Sequence, residues 1–378
     1  MYQVIALFFL IAFSLYITVI ISNKVIKLDI ENVKYPEIDG IRGYLGFFVF
    51  LHHSYIWHIY LNNNLWESPK SNIFNHLGQT SVVLFFIITS FLFVTKLILN
   101  KNIEFDWKKY IVSRFYRLFP MYIFTIFILF LIVLFITNFE LKDILFNNLK
   151  GCMSWIFFSI DGPSNINSLE NTFLINAGVT WTLPYEWMFY LLLPIIALFF
   201  KIKVKYKTII LFSLVFLIIL FINKPSPTYF IPFLGGILCA ELNNSKIKID
   251  WKNYKFSVLG LSLLFLSVYR FNSGTKIPAI AVSTFLLLII SNGNSFFGIL
   301  SSHFSRKLGQ ITYSIYLIHG LVLFIVFRFI IGFKKAAMLS ELEYWSIIAL
   351  CIIPIIIISQ LTFKYIELRF INYNKKKI

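Results

Sequence analysis

Charge is what this sequence lacks. Only 13% of its 378 residues are Asp, Glu, Lys or Arg, against about 25% in a soluble domain. That shortage, with 58% hydrophobic residues and a mean hydropathy of +0.79, excludes an ordinary water-soluble globule. Acidic residues are the scarcer sign, 17 against 34 Lys and Arg. A net charge of +17 would suit nucleic acid, but the basic residues sit in short stretches between apolar runs. Membrane topology accounts for that pattern better than a nucleic-acid face does, so no nucleic-acid partner is expected. Cysteine is also scarce. Cys152, Cys239 and Cys351 are far apart and match no ligand spacing, which points away from a disulfide framework and a metal site. The first apolar run has no charged start and no small-residue cleavage pattern, so it reads as a retained span.

Apolar runs of spanning length occur at about 2–22, 41–61, 80–99, 118–137, 181–200, 207–222, 228–243, 256–270, 277–292, 310–331 and 344–363. The fold class expected is therefore all-α, a polytopic membrane bundle of about eleven helices. The run at 228–243 is short and holds Pro232, Gly235 and Gly236, as a broken or tilted helix would. Residues 144–160 read as an interfacial or re-entrant piece. One set of alternate connections and helix ends carries 25 of the 34 Lys and Arg. The positive-inside rule makes that side cytoplasmic, with the N-terminus outside and the C-terminus inside.

Ionisable groups inside hydrocarbon are costly and mark function. The stretch IDGIRGYLGFFVFLHH places Asp39 and Arg42 at the start of an apolar helix and His52 and His53 near its middle. Arg42 and His53 are eleven residues apart, so they share a face and differ in height by about 16 Å. That geometry fits a long ligand held by an anionic end near one surface while its reactive end reaches inward. Arg114 and Arg117, in SRFYRLFP, are three apart and form a fork suited to phosphate. His53 is the candidate general base. His52 points about 100° away and reads as a supporting group, as does Asp39, which can pair with Arg42. Glu186, in TWTLPYEWMFYLLLP, falls at the same estimated depth as His53 and is expected to orient it. Tyr316 and His319, in LGQITYSIYLIHG, share a helix face and are candidate substrate contacts. Thr89 and Ser90 are candidates for helix-to-helix hydrogen bonds.

Together these stretches resemble the acyltransferase-3 family of integral-membrane acyltransferases. The Arg42–His53 spacing resembles its opening motif, VVLFFIITSFLF its second, SRFYRLFPMY its RxxR motif and TWTLPYEWMFYLLLP its WSLxxExxFY motif. LGQITYSIYLIH and KYIELRF, with Glu367 as a structural residue, resemble the last two. Thr89 and Ser90 stand where the family has Ser and Gly, and Leu368 and Arg369 follow Glu367 where it has Arg-Pro. The resemblance implies a ten-helix core over 38–370, preceded by an added helix and linker over 1–37 and followed by a basic tail over 371–378, without the esterase-like domain many relatives carry.

It further implies an O-acyltransferase of bacterial plasma-membrane type that uses acyl-CoA, commonly acetyl-CoA, as donor, with no permanently bound cofactor. The acceptor would be a hydroxyl of a surface or lipid-linked glycan. Arg42, Arg114 and Arg117 would hold the CoA phosphates, His53 and Glu186 would carry the chemistry, and Trp181 with the outer loop would receive the glycan. Two rivals are a proton-coupled transporter, which also uses buried His and Glu, and a non-catalytic membrane scaffold. The transporter would be expected to show an inverted repeat, and none is visible. The scaffold has no need of Arg42 and His53 on one face.

Overall fold

A proline-led start explains why the second helix begins where it does. Pro36 occupies its first turn with Glu37 and Asp39, whose charges suit the positive end of a helix dipole. The helix then runs unbroken from Pro36 to Asn63 and stops at Asn64, which adopts the left-handed conformation and donates its N–H to the Tyr60 carbonyl. In the computed structural model, which describes residues 2–24, 33–101, 104–245 and 249–377, every regular element is helical.

In chain order the helices are α1 (Tyr2–Lys24), α2 (Pro36–Asn63), α3 (Asn72–Leu99), α4 (Trp107–Ile136), α5 (Leu145–Ile156), α6 (Thr182–Phe199), α7 (Tyr206–Asn223), α8 (Ile231–Asn243), α9 (Tyr254–Arg270), α10 (Ile277–Ser291), α11 (His303–Gln310), α12 (Thr312–Ile325), α13 (Phe333–Ala336), α14 (Glu341–Thr362) and α15 (Leu368–Lys377). A helix covers each of the eleven apolar runs, and α5 covers the interfacial piece. Among the described residues, six helices or helical runs are long and apolar enough by themselves to cross a membrane. The chain is a polytopic membrane helical bundle. On α7, Leu211, Leu214, Leu217, Ile218 and Phe221 are all exposed, an apolar surface that hydrocarbon, not water, would cover.

At the centre, α2 packs against α3, α11 and α12, and α3 packs against α8. Small residues set the distances. A side chain at Gly43 would meet the Leu308–Gly309 backbone, and one at Gly46 would meet Thr312. The run over 228–243 corrects an expectation. It is not broken: a 3-10 turn (Pro227–Phe230) leads into α8, and Pro232 lies in the first turn, where proline is tolerated. Gly235 abuts Thr284 of α10, and Gly236 abuts Ser90 and the Ile87 carbonyl of α3. The α3–α8 approach thus rests on the glycine of α8. Ser90 turns its hydroxyl back to the Phe86 and Ile87 carbonyls at 3.1 Å each, so Ser90 bonds within its own helix, not between helices.

Two π-helical turns, Val326–Ile331 after α12 and Phe363–Glu367 after α14, interrupt the regular ladder. The second carries Glu367 into the interior. Between α5 and α6 the chain does not stay outside the bundle. Its 3-10 turns Thr172–Asn176 and Val179–Trp181 pack on α12, where Gly320 leaves room for the Asn176–Ala177 backbone.

Candidate active site

The α2 backbone carries two groups of polar residues along one face. The first centres on Arg42, one and a half turns into the helix. Its Nη1 lies 3.7 Å from Asp39 Oδ1, the pairing expected from their spacing. Arg42 also interacts electrostatically with Arg117 and Glu186. Glu186, from α6, lies in the field of Arg114, Arg42 and Arg117, and accepts a hydrogen bond from the Tyr190 hydroxyl. Glu367, only 1% exposed, feels Arg117 and Arg42. Its Oε1 accepts from the Ser314 hydroxyl, which in turn accepts from Thr362 at 3.0 Å. Its Oε2 has no hydrogen-bond partner among the described residues. Four elements, α2, α4, α6 and the turn after α14, therefore bring three guanidiniums, the half-buried Glu186 and the buried Glu367 into one cluster.

Arg114 also faces a cavity of about 390 Å³ at the end of the bundle near the 96–117 connection, lined by Phe93, Lys96, Phe105, Lys109 and Tyr110 among others. The Arg114 guanidinium lies 4.9 Å from the centre of the Phe93 ring, and its buried Nε has no hydrogen-bond partner among the described residues. Lys96 interacts with both Arg114 and Lys109. Glu104 and Asp106 also line the cavity; Glu104 is paired with Lys205 at 2.7 Å, and the three cations with the aromatic walls suit a ligand with phosphates and a flat ring system.

The second group lies about 16 Å further along α2. His53 is 9% exposed and His319 fully buried. His53 Nδ1 and His319 Nε2 are 3.0 Å apart, with ring centroids separated by 5.1 Å. Trp66, from the connection after α2, stacks on His53 at 6.3 Å and 18° and touches Phe173 of the inserted segment. His52 turns away, as its angular offset requires. Its Nδ1 lies 2.8 Å from the Phe74 carbonyl, and its ring fills the space left by Gly78.

These contacts correct one expectation. Glu186 does not orient His53; His319 occupies that position, and the partners of Glu186 are Tyr190 and the arginines. The depth estimate took Trp181 as the outer surface. In the structure the turn before α6 is already inside the bundle, with Val179 and Thr180 buried and the Val179 carbonyl accepting from the Tyr316 hydroxyl at 2.9 Å. Tyr316 also bonds Thr182 at 2.8 Å. With the polar atoms of Tyr316 and His319 engaged inside the protein, both hold helices together here. Trp181 is 37% exposed and packs beside Tyr185 and Tyr229 at 5.8 and 4.7 Å; Tyr185 is buried and Tyr229 half-buried, so Trp181 is the exposed ring of the three. The sequence reading passed over Trp66, Lys96 and Tyr190. Trp66 lies outside the spanning runs, so nothing in its spacing showed that its loop folds back.

Among the described residues no group of three or more His, Cys, Asp and Glu is placed to hold a metal. Compared with known protein families, residues 35–364 match the family described as an acyltransferase domain. No match was found among curated proteins or solved structures.

Proposed function

The chain belongs to the acyltransferase-3 family of membrane acyltransferases, and from that premise we propose that it moves an acyl group, acetyl by preference, from acyl-CoA to a hydroxyl of a surface or lipid-linked glycan. The observation that carries this reading is the division of α2 between an arginine cluster and a histidine pair on one face. A CoA thioester has the same division. Its phosphates and adenine occupy one end, a long flexible arm follows, and the reactive carbonyl lies at the far end.

The donor's nucleotide end takes the cavity between Phe93, Phe105 and Tyr110, with its phosphates on Lys96, Lys109 and Arg114. Arg42 and Arg117 draw the arm inward, with Glu186 and Glu367 balancing their charge. Counter-charges of this kind make buried guanidiniums tolerable inside a bundle. At the thioester, His53 removes the proton of the acceptor hydroxyl while that oxygen attacks the carbonyl carbon. The C–S bond then breaks, and the imidazolium returns the proton to the departing thiolate. The products are an ester and free CoA. Trp181, Tyr185 and Tyr229 form the platform for the acceptor sugar. By charge distribution the arginine end faces the cytoplasm of a bacterial plasma membrane and the Trp181 end faces outward.

Mass spectrometry of surface glycans from cells with and without the chain tests the reading. Acylated species that vanish with the chain identify both acyl group and acceptor. Identical glycans, together with no acyl-CoA turnover by the purified protein, would refute it.

A further inference from the structure

We propose that His319 is a positioning residue that fixes the tautomer of His53, leaving Nε2 of His53 as the basic nitrogen. The inference rests on the reading of His53 as the general base and follows from which atoms can donate. His319 Nδ1 lies 3.0 Å from the Ile315 carbonyl. A carbonyl oxygen only accepts, so Nδ1 of His319 carries a hydrogen. A neutral imidazole has one N–H, and so Nε2 of His319 is an acceptor. That nitrogen lies 3.0 Å from His53 Nδ1, which must then be the donor. With the hydrogen on Nδ1, the free lone pair of His53 is on Nε2.

The same contact supports the next step. When Nε2 takes a proton from the acceptor hydroxyl, the new positive charge is shared with Nδ1–H, which already points at the His319 lone pair. A carboxylate does this work in a Ser-His-Asp triad; here a neutral imidazole stands in that place. His319 is fully buried, backed by Phe50 and Tyr316 at ring separations of 6.4 and 6.2 Å. The arrangement sets His53 into one orientation without placing a formal charge in the interior, where charge is costly. The other titratable group beside His53 is His52, whose Nδ1 is held by the Phe74 carbonyl.

Two substitutions separate positioning from packing. His319→Leu fills the space but removes the acceptor. Its kcat should fall by roughly 10²- to 10⁴-fold, the range for general-base catalysis, while KM for acyl-CoA moves less than about threefold. His319→Gln offers an amide oxygen to His53 Nδ1–H and should recover at least about tenfold over Leu. Solid-state ¹⁵N NMR of histidine-labelled wild-type protein in bilayers should show His53 in the Nδ1–H form and needs no variant to fold. Equal activity of the Leu and wild-type proteins, absence of any advantage of Gln over Leu, or His53 in the Nε2–H form would each overturn the proposal. Transfer by His53→Ala near the wild-type rate would instead remove the general base itself, a result the His319 variants cannot produce.

Discussion

At the residue scale, the arginine cluster and the histidine pair make separable demands. In the proposed reaction His53 bears on bond-making, while Arg42, Arg114 and Arg117 bear on holding the donor. His53→Ala should therefore reduce transfer by about 10²-fold or more while acyl-CoA still binds, measured by transfer rate and by equilibrium binding on one preparation. His52→Ala should be milder in rate but lower in thermal stability, because it removes the ring that fills the space at Gly78. Glu186 makes the sharper test. Placed beside His53 by a depth count, it lies instead in the field of Arg114, Arg42 and Arg117. In double-mutant cycles on kcat/KM, Glu186→Gln should couple to Arg114→Ala by about 0.5–3 kcal/mol, as interacting charges do, and should add to His53→Ala within about 0.5 kcal/mol. Coupling to His53 instead would restore the carboxylate–imidazole pair that the depth count implied.

At the element scale, much of this architecture was legible in the sequence. Each apolar run became a helix, and α2 runs straight through because nothing between Pro36 and Asn64 breaks the ladder. The α-helical period therefore placed Arg42 and His53 on one face correctly. What the period could not show was where non-helical chain goes. The stretch 138–180 reads as an outer loop from its Asn, Ser and Gly, yet its last turns pack into the bundle against α12. Glu186, six residues on from the Thr180 of that segment, lies with the arginines. Hydropathy registers how much apolar surface a segment has, not whether a neighbouring helix has left room for its backbone. Gly320 is where that room is made: a side chain there would strike the Asn176 carbonyl and the Ala177 nitrogen. Gly320→Val should cost about 1–3 kcal/mol through overpacking, read as a lowered thermal midpoint in detergent. It should also depress transfer, since the Thr182–Tyr316 and Val179–Tyr316 bonds at 2.8 and 2.9 Å belong to the same contact. A variant with unchanged stability and activity would show that the segment does not need this seat.

At the scale of the whole molecule, the two ends of the bundle differ in charge and in shape, and the proposed reaction needs both differences. The end bearing the 96–117 connection has the cavity with Lys96, Lys109 and Arg114, suited to a polyanionic donor. The opposite end has the Trp181–Tyr185–Tyr229 face and the folded segment after α5, held by bonds such as Trp155 Nε1 to the Ser164 carbonyl at 2.8 Å. Transfer from a cytoplasmic donor to an outer acceptor requires these ends to lie on opposite sides of the membrane, which can be measured directly. Cys152 is half-buried in α5, whereas Cys239 and Cys351 are buried, so Cys152 is first replaced by Ser to remove background. A single cysteine is then introduced at Asn165, in the segment between α5 and α6, or at Asn374, in α15 at the basic end. In intact cells an impermeant maleimide should label Asn165→Cys and leave Asn374→Cys unlabelled, and lysis should expose the second. With 25 of 34 Lys and Arg on the arginine side, the positive-inside rule predicts this order strongly. The reverse pattern would put the Lys96–Arg114 cavity outside, away from cytoplasmic acyl-CoA, and the proposed direction of transfer would fail even if His53 and Arg42 kept their roles.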